Sequence, residues 1–198
     1  TAMMLEDGPL SYFHNGIRQG GAMELRSVAW AFYPAVDNKD AREDARVLES
    51  IEGGLAHLGD LLLELPLSAG KTPLSVVPRF ETELMDYCTK GEFSDYWRQD
   101  CLWYDDMERN ADVPTLIRCG WYDSYSVGMG HYFQRLVKEH ESPPQLIFGP
   151  WIHGSPHLTY AGDVEFGLDA AVDMDEERSR YFGRWLKDEH DGGGDAPV

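Results

Sequence analysis

Positive charge is scarce in this chain. Seventeen Lys and Arg stand against 35 Asp and Glu, for a formal net charge of −18 at pH 7. A phosphate-binding surface needs clustered Lys and Arg, so no nucleic-acid partner is expected. Long apolar runs are missing as well. Nothing approaches the roughly 18 consecutive apolar residues of a membrane-spanning helix, so no membrane partner is expected. The opening Thr1-Ala2-Met3-Met4 has neither the basic nor the apolar region of a secretory signal. With the acidic balance, this leads to the expectation of a cytoplasmic protein. Cysteine is sparse: Cys88, Cys101 and Cys119 match no zinc spacing and cannot all pair, so reduced structural thiols are expected. No internal repeat is visible.

What is present is an ordinary globular composition, 42% apolar and 26% charged over 198 residues, enough chain to bury a core. Residues 1–20 are polar and contain Gly16 and Gly20, and read as a loop. Residues 21–110 read as mainly helical. Ala22 to Tyr33 is one expected helix. Ala41, Ala45, Leu48, Ile51, Leu55, Leu58 and Leu62 give helical spacing to another, with a break expected at Gly53-Gly54. Further helices are expected at Arg79–Tyr87 and Phe93–Gln99.

From residue 111 the pattern changes. Val113 to Cys119 is a short apolar run that contains Pro114 and stops before Gly120, and Gln145 to Phe148 is another, closed by Gly149-Pro150. Both read as buried strands. Between them Tyr125, Met129, Tyr132, Phe133, Leu136 and Val137 form a helical stripe, with Ser124 as its expected cap. Met174, Tyr181, Phe182, Trp185 and Leu186 mark a last helix. Strand–helix–strand–helix at this spacing predicts an α/β fold with a parallel sheet. Asp191 to Asp195 reads as a linker.

In parallel sheets, functional groups gather past the carboxyl ends of the strands. Asp123 follows the first strand and His153 the second. Adjacent parallel strands lie about 4.8 Å apart, so a hydrogen bond between the two loops is easy. A carboxylate that holds one tautomer of an imidazole is what a histidine base requires. Position alone leaves a second reading open, in which Asp123 caps the following helix and His153 is an ordinary loop histidine.

Gly120-Trp121-Tyr122-Asp123, with Tyr125 behind it, resembles the acid loop of the X-Pro dipeptidyl-peptidase-like hydrolases, a group that includes cocaine-esterase-like and glutaryl-acylase-like enzymes. Gly149-Pro150-Trp151-Ile152-His153-Gly154 is similar to their histidine loop. Gly162 to Gly167 and Tyr181 to Lys187 resemble the family's segments beyond that loop, and Gly20 to Leu25 is similar to the start of its cap. The resemblance implies the C-terminal part of an α/β-hydrolase core at 111–190 and a helical cap at 21–110. Residues 1–20 would lead in from an N-terminal part of the core, and 191–198 would lead on to a jelly-roll domain. It implies Asp123 and His153 as catalytic acid and base, and a small ester or amide as substrate. No cofactor or metal is implied, and homo-oligomer formation is left open. Tyr125 is implied as an acyl-pocket residue. Trp151 and Trp30 are candidates for the pocket wall, each with a core role as the alternative.

The family's nucleophile sits in a Gly-x-Ser-Tyr-x-Gly turn, and no Gly-x-Ser-x-Gly occurs in this sequence. Ser68, in Pro66-Leu67-Ser68-Ala69-Gly70, and Ser126, three residues past Asp123, are poor imitations. The serine is therefore expected outside these residues, in a longer parent protein to which the activity belongs. Two rivals are a non-catalytic acidic helical interaction module and a degenerate homologue without the serine. A metal site from His153, His157, Asp163 and Asp123 fits no zinc signature.

Overall fold

The computed structural model describes residues 1–98 and 106–189. Cys101 and the expected linker lie outside the described residues. In chain order the elements are β1 (Met3–Glu6), α1 (Tyr12–Asn15), β2 (Arg18–Gln19), β3 (Ala22–Met23), α2 (Arg26–Val36), α3 (Lys39–Glu43), α4 (Ala45–Ala56), α5 (Leu58–Leu63), α6 (Pro78–Thr89), α7 (Asp95–Arg98), β4 (Thr115–Gly120), α8 (Ser126–Glu139), β5 (Pro144–Gly149), β6 (Tyr160–Ala161), β7 (Val164–Glu165) and α9 (Met174–Lys187). They form two compact units. One comprises Thr1–Gly16 and the described residues from Asp95 onward, the other Ile17–Ser94. Among the described residues no helix is long and apolar enough to cross a membrane.

The first unit is built on a parallel sheet in the order β1-β4-β5. All six residues of β4 are buried, as a strand with neighbours on both edges and helices on both faces must be. Ile117 and Cys119 pack on one face with Met129, Tyr132 and Leu136 of α8. Leu116 points the other way, toward Ile147, Trp151 and Tyr181 of α9. The fold class is thus α/β, a parallel sheet with helices on both faces, as expected from the sequence. Val137 and Leu186, at the ends of their stripes, are instead exposed. Helix α9 has a strong start: Asp173 accepts from the N–H groups of Asp175 (2.9 Å) and Glu176 (3.2 Å).

Two expectations in this unit need correction. Residues 1–20 are not simply a loop, because Met3–Glu6 pairs in parallel with Thr115–Arg118. Three apolar residues before Glu6 are too few to show a period, and the stabilising partner lies over a hundred residues away in sequence. Ser124 is not the cap of α8 either. That helix begins at Ser126, and the residue before it, Tyr125, makes no side-chain cap.

The end of β1 carries charge. Arg118 on β4 pairs with Glu6 at 2.8 Å and with Asp7, and Arg178 on α9 pairs with Glu6 at 2.7 Å and Asp175 at 2.6 Å. Burial raises the pKa of Glu6, but the hydrogen bonds and charges of Arg178 and Arg118 outweigh it and hold the carboxyl below its ordinary 4.5. A depressed carboxylate stabilises the fold above its unfolded pKa, and that stability is lost as pH falls through the native one. Glu6→Gln is accordingly expected to cost about 1–3 kcal/mol at pH 7. In paired denaturant titrations its deficit against wild type should shrink as pH falls below 4.5 toward the lower native value. A deficit that grew as pH fell below 4.5 would contradict this.

In the second unit β2 and β3 form a short antiparallel pair, and helices α2, α4 and α6 pack together. Val28, Ala31, Phe32 and Ala35 of α2 meet Ile51 of α4 and Leu84 of α6 in its core. The long helix expected here is divided, but not at its glycines. Asn38 caps α3, Asp44 caps α4, and α4 runs through Gly53-Gly54 to Ala56. Packing explains why: a Cβ on Gly54 would lie 2.7 Å from the Phe32 ring and 2.5 Å from Pro73 Cβ. Gly54 lets the helix approach, a gain that outweighs its poor propensity. A Cβ at Gly53 would meet nothing within 4 Å. Opposite effects are expected in thermal unfolding: Gly53→Ala stabilises by up to about 1 kcal/mol, and Gly54→Ala destabilises by about 1–3 kcal/mol. Equal shifts in Tm would refute the packing explanation.

Candidate functional site

The site begins where β4 and β5 end. Gly120 and Gly149 are paired in the final register of the two strands. Beyond them the turns stay tied together: Trp121 N–H donates to the Gly149 carbonyl at 2.8 Å, and Tyr122 N–H to the Trp151 carbonyl at 3.1 Å. The fit is close enough that a Cβ on Gly120 would lie 2.0 Å from that Trp151 oxygen. Any other residue at Gly120 would push the two turns apart.

This stitching brings together the two residues singled out from the sequence. His153 Nδ1 lies 2.9 Å from Asp123 Oδ2. A carboxylate only accepts, so the ring nitrogen donates and the neutral imidazole carries its proton on Nδ1. Asp123 Oδ1 accepts from Tyr125 N–H at 2.9 Å and from the Ser124 hydroxyl at 3.4 Å. Asp123 therefore orders the turn that leads to α8 as well as holding His153, although α8 itself has no side-chain cap. Its side chain is fully buried, whereas that of His153 is 62% exposed. That contrast places a fixed anion behind an accessible ring whose Nε2 is not used by Asp123. Tyr125 meets the ring edge-on, with centroids 5.5 Å apart.

The aromatics divide. Trp121 and Tyr122 are exposed. Trp151, expected as a candidate pocket wall, is instead a core residue. It is only 2% exposed, packs with Leu116, Ile147 and Tyr181, and donates its Nε1–H to the Ala170 carbonyl at 2.6 Å. A large ring next to two glycines fills the space they leave, and its apolar area is worth more in the core than in solvent. Trp30 belongs to the other unit. There it is exposed on α2, edge-on to Tyr33 with centroids 6.3 Å apart.

Asp7 and Arg118 were not singled out from the sequence, yet they border the site. Asp7 Oδ2 accepts from the Gly154 N–H at 2.9 Å, immediately after His153. The one available signal was an acidic pair ending an apolar triplet before Gly8-Pro9, too short to be distinctive. Asp7, Cys119 and Asp123 each offer one ligand atom, all within 4.8 Å of one another. This donor set suits a cation poorly. Arg118 already supplies the positive charge at Asp7, and burial together with the Asp123 and Asp7 charges pushes the Cys119 thiol well up, away from thiolate. A cavity of about 470 Å³ is lined by Arg118, Gly154, Pro156, His157, Val172 and Arg178 among others. Neither Asp123 nor His153 lines it.

Ser126 is the first residue of α8, donating its N–H to the Asp123 carbonyl at 3.1 Å. Ser68 accepts at its carbonyl from Lys71 N–H at 3.1 Å in a turn of the other unit. Neither stands in a Gly-x-Ser-x-Gly turn.

No curated protein matches the chain. A family does: the profile of X-Pro dipeptidyl-peptidase (S15 family) matches residues 1–155, from β1 through the histidine loop. The span holds both strand-end turns, and it covers well over half of the 198 residues. The chain therefore belongs to the X-Pro dipeptidyl-peptidase (S15) family and shares its serine-hydrolase-like character.

Proposed function

We propose that Asp123 and His153 are the acid and base of a Ser-His-Asp triad that cleaves acyl ester or amide bonds, X-Pro amides among them. The serine is supplied by polypeptide outside residues 1–198. The observation that carries this reading is the 2.9 Å contact between His153 Nδ1 and the buried Asp123 carboxylate, on a ring otherwise exposed.

With Nδ1 protonated, Nε2 is a lone-pair acceptor directed away from Asp123. The serine Oγ attacks the acyl carbon as Nε2 takes its proton. The imidazolium so formed faces a carboxylate held in low dielectric, where its charge is stabilised. Nε2–H then protonates the leaving alcohol or amine, and the acyl-enzyme forms. Water repeats the cycle and releases the acid. Asp123 stays ionised throughout, with Tyr125 N–H satisfying its second oxygen. Tyr125, edge-on to the imidazole, is placed to meet the acyl group in this reading.

In the polypeptide that carries the serine, His153→Ala is expected to lower kcat/KM for an activated ester by about 10³-fold or more, and Asp123→Asn by about 10²–10⁴-fold. Unchanged ester turnover by His153→Ala would remove His153 from the mechanism. A fluorophosphonate probe should label the serine-bearing polypeptide and leave residues 1–198 alone unlabelled. Stoichiometric labelling of the latter would put the nucleophile inside this chain.

A further inference from the structure

We propose that Asp7 is a positioning residue for His153, acting through the backbone of the loop that carries it. This rests on the reading of Asp123 and His153 as a working pair and names the part that aims it. The ring of His153 is held from one side by Asp123, yet a side-chain hydrogen bond cannot by itself fix the backbone beneath an exposed ring. That backbone is stitched to β4 on its N-terminal side, where the Trp151 carbonyl accepts from Tyr122 N–H. On its C-terminal side the next residue, Gly154, has a left-handed φ of 69° and directs its N–H to Asp7 Oδ2 at 2.9 Å. His153 therefore sits between two anchors, one at the end of β4 and one at the end of β1.

Asp7 is built for this position. It is 8% exposed, and its carboxylate is charge-compensated by Arg118 on β4. Its own N–H continues the sheet by donating to the Arg118 carbonyl at 3.1 Å. Its φ of 42° is left-handed, uncommon for a residue with a Cβ. That turn aims the carboxylate across the strand ends rather than along β1. The same oxygen serves Arg118 and Gly154. The cation fixes the carboxylate, and the carboxylate fixes the loop. A charged acceptor makes this a stronger tether than a neutral one.

The test uses the left-handed φ. Asp7→Gly removes the carboxylate at a position whose backbone glycine adopts without strain, so the fold is spared part of the cost. Asp7→Asn keeps an acceptor for Gly154. Glu6→Gln loosens the same ion network without touching the histidine loop. In each, ¹⁵N NMR of the 198-residue chain reads the ratio of Nδ1–H to Nε2–H tautomer of His153 at a pH where the ring is neutral. The expected result is a fall of about tenfold in that ratio for Asp7→Gly, the factor associated with losing one hydrogen bond. Asp7→Asn and Glu6→Gln should remain near wild type. In wild type the Gly154 amide should be protected from hydrogen exchange. An unchanged ratio in Asp7→Gly would overturn the proposal. An equal fall in Glu6→Gln would also overturn it, because general loosening would then account for the effect. Rapid exchange of the wild-type Gly154 amide would do so even if Asp7→Gly failed to fold. None of these readouts needs hydrolysis. Loss of the hydrolase reading would leave the tether standing, and loss of the tether would leave His153→Ala to judge the hydrolase.

Discussion

The six-residue parallel pairing of β4 with β5 governs the rest of the first unit. Because Gly120 and Gly149 end their strands side by side, the two following turns must share the same small space. Two backbone hydrogen bonds then continue the ladder into those turns, through Trp121 and Tyr122. The Trp151 carbonyl occupies the position a Cβ on Gly120 would need, so the glycine is a condition of the pairing. Asp123 and His153 meet because their backbones have nowhere else to go. The hydrogen bond between them is a consequence of strand register as much as of side-chain chemistry.

Burial then assigns the two residues different characters. Asp123 lies beneath the turn, with one oxygen committed to Tyr125 N–H and the other to His153. A carboxylate in that setting has little freedom to move toward solvent or a stray cation. His153 stands mostly in the open. A fixed acceptor behind an accessible imidazole is an arrangement that can pass a proton outward. The Glu6–Arg118–Arg178 network on the α9 face keeps the end of β1 beside β4, while Asp7 joins that end to the histidine loop. The charges form a chain from α9 through β1 and β4 to the residue after His153.

The two strands, α8 and α9 are legible because each has a clean apolar pattern, and the strands have clear stops at Gly120 and at Gly149-Pro150. The break expected at Gly53-Gly54 rests on propensity alone, and the close packing of Gly54 on Phe32 and Pro73 that overrides it is a tertiary fact. Trp151 shows the same limit. Beside a candidate histidine an aromatic reads equally well as pocket wall or core, and only the observed burial and the bond to Ala170 decide between them. Strand β1 was lost in an apparent loop because four residues carry almost no pattern, and its stability comes from a distant partner.

By itself, the sequence determined the kind of chemistry on offer. An acid after one apolar run and a histidine after the next put Asp123 and His153 at neighbouring strand ends, since those positions are set by local pattern and chain order; the resemblance of the flanking motifs, not position, singled the two out as a pair. The tertiary structure decided what surrounds that pair. It drew Asp7 from the far end of the chain to the residue after His153, turned Trp151 inward and left Tyr125 against the imidazole. These depend on which surfaces meet once the sheet closes. Contacts between residues a hundred or more positions apart are fixed by packing and by the need to pair buried charge, and neither leaves a mark on local sequence.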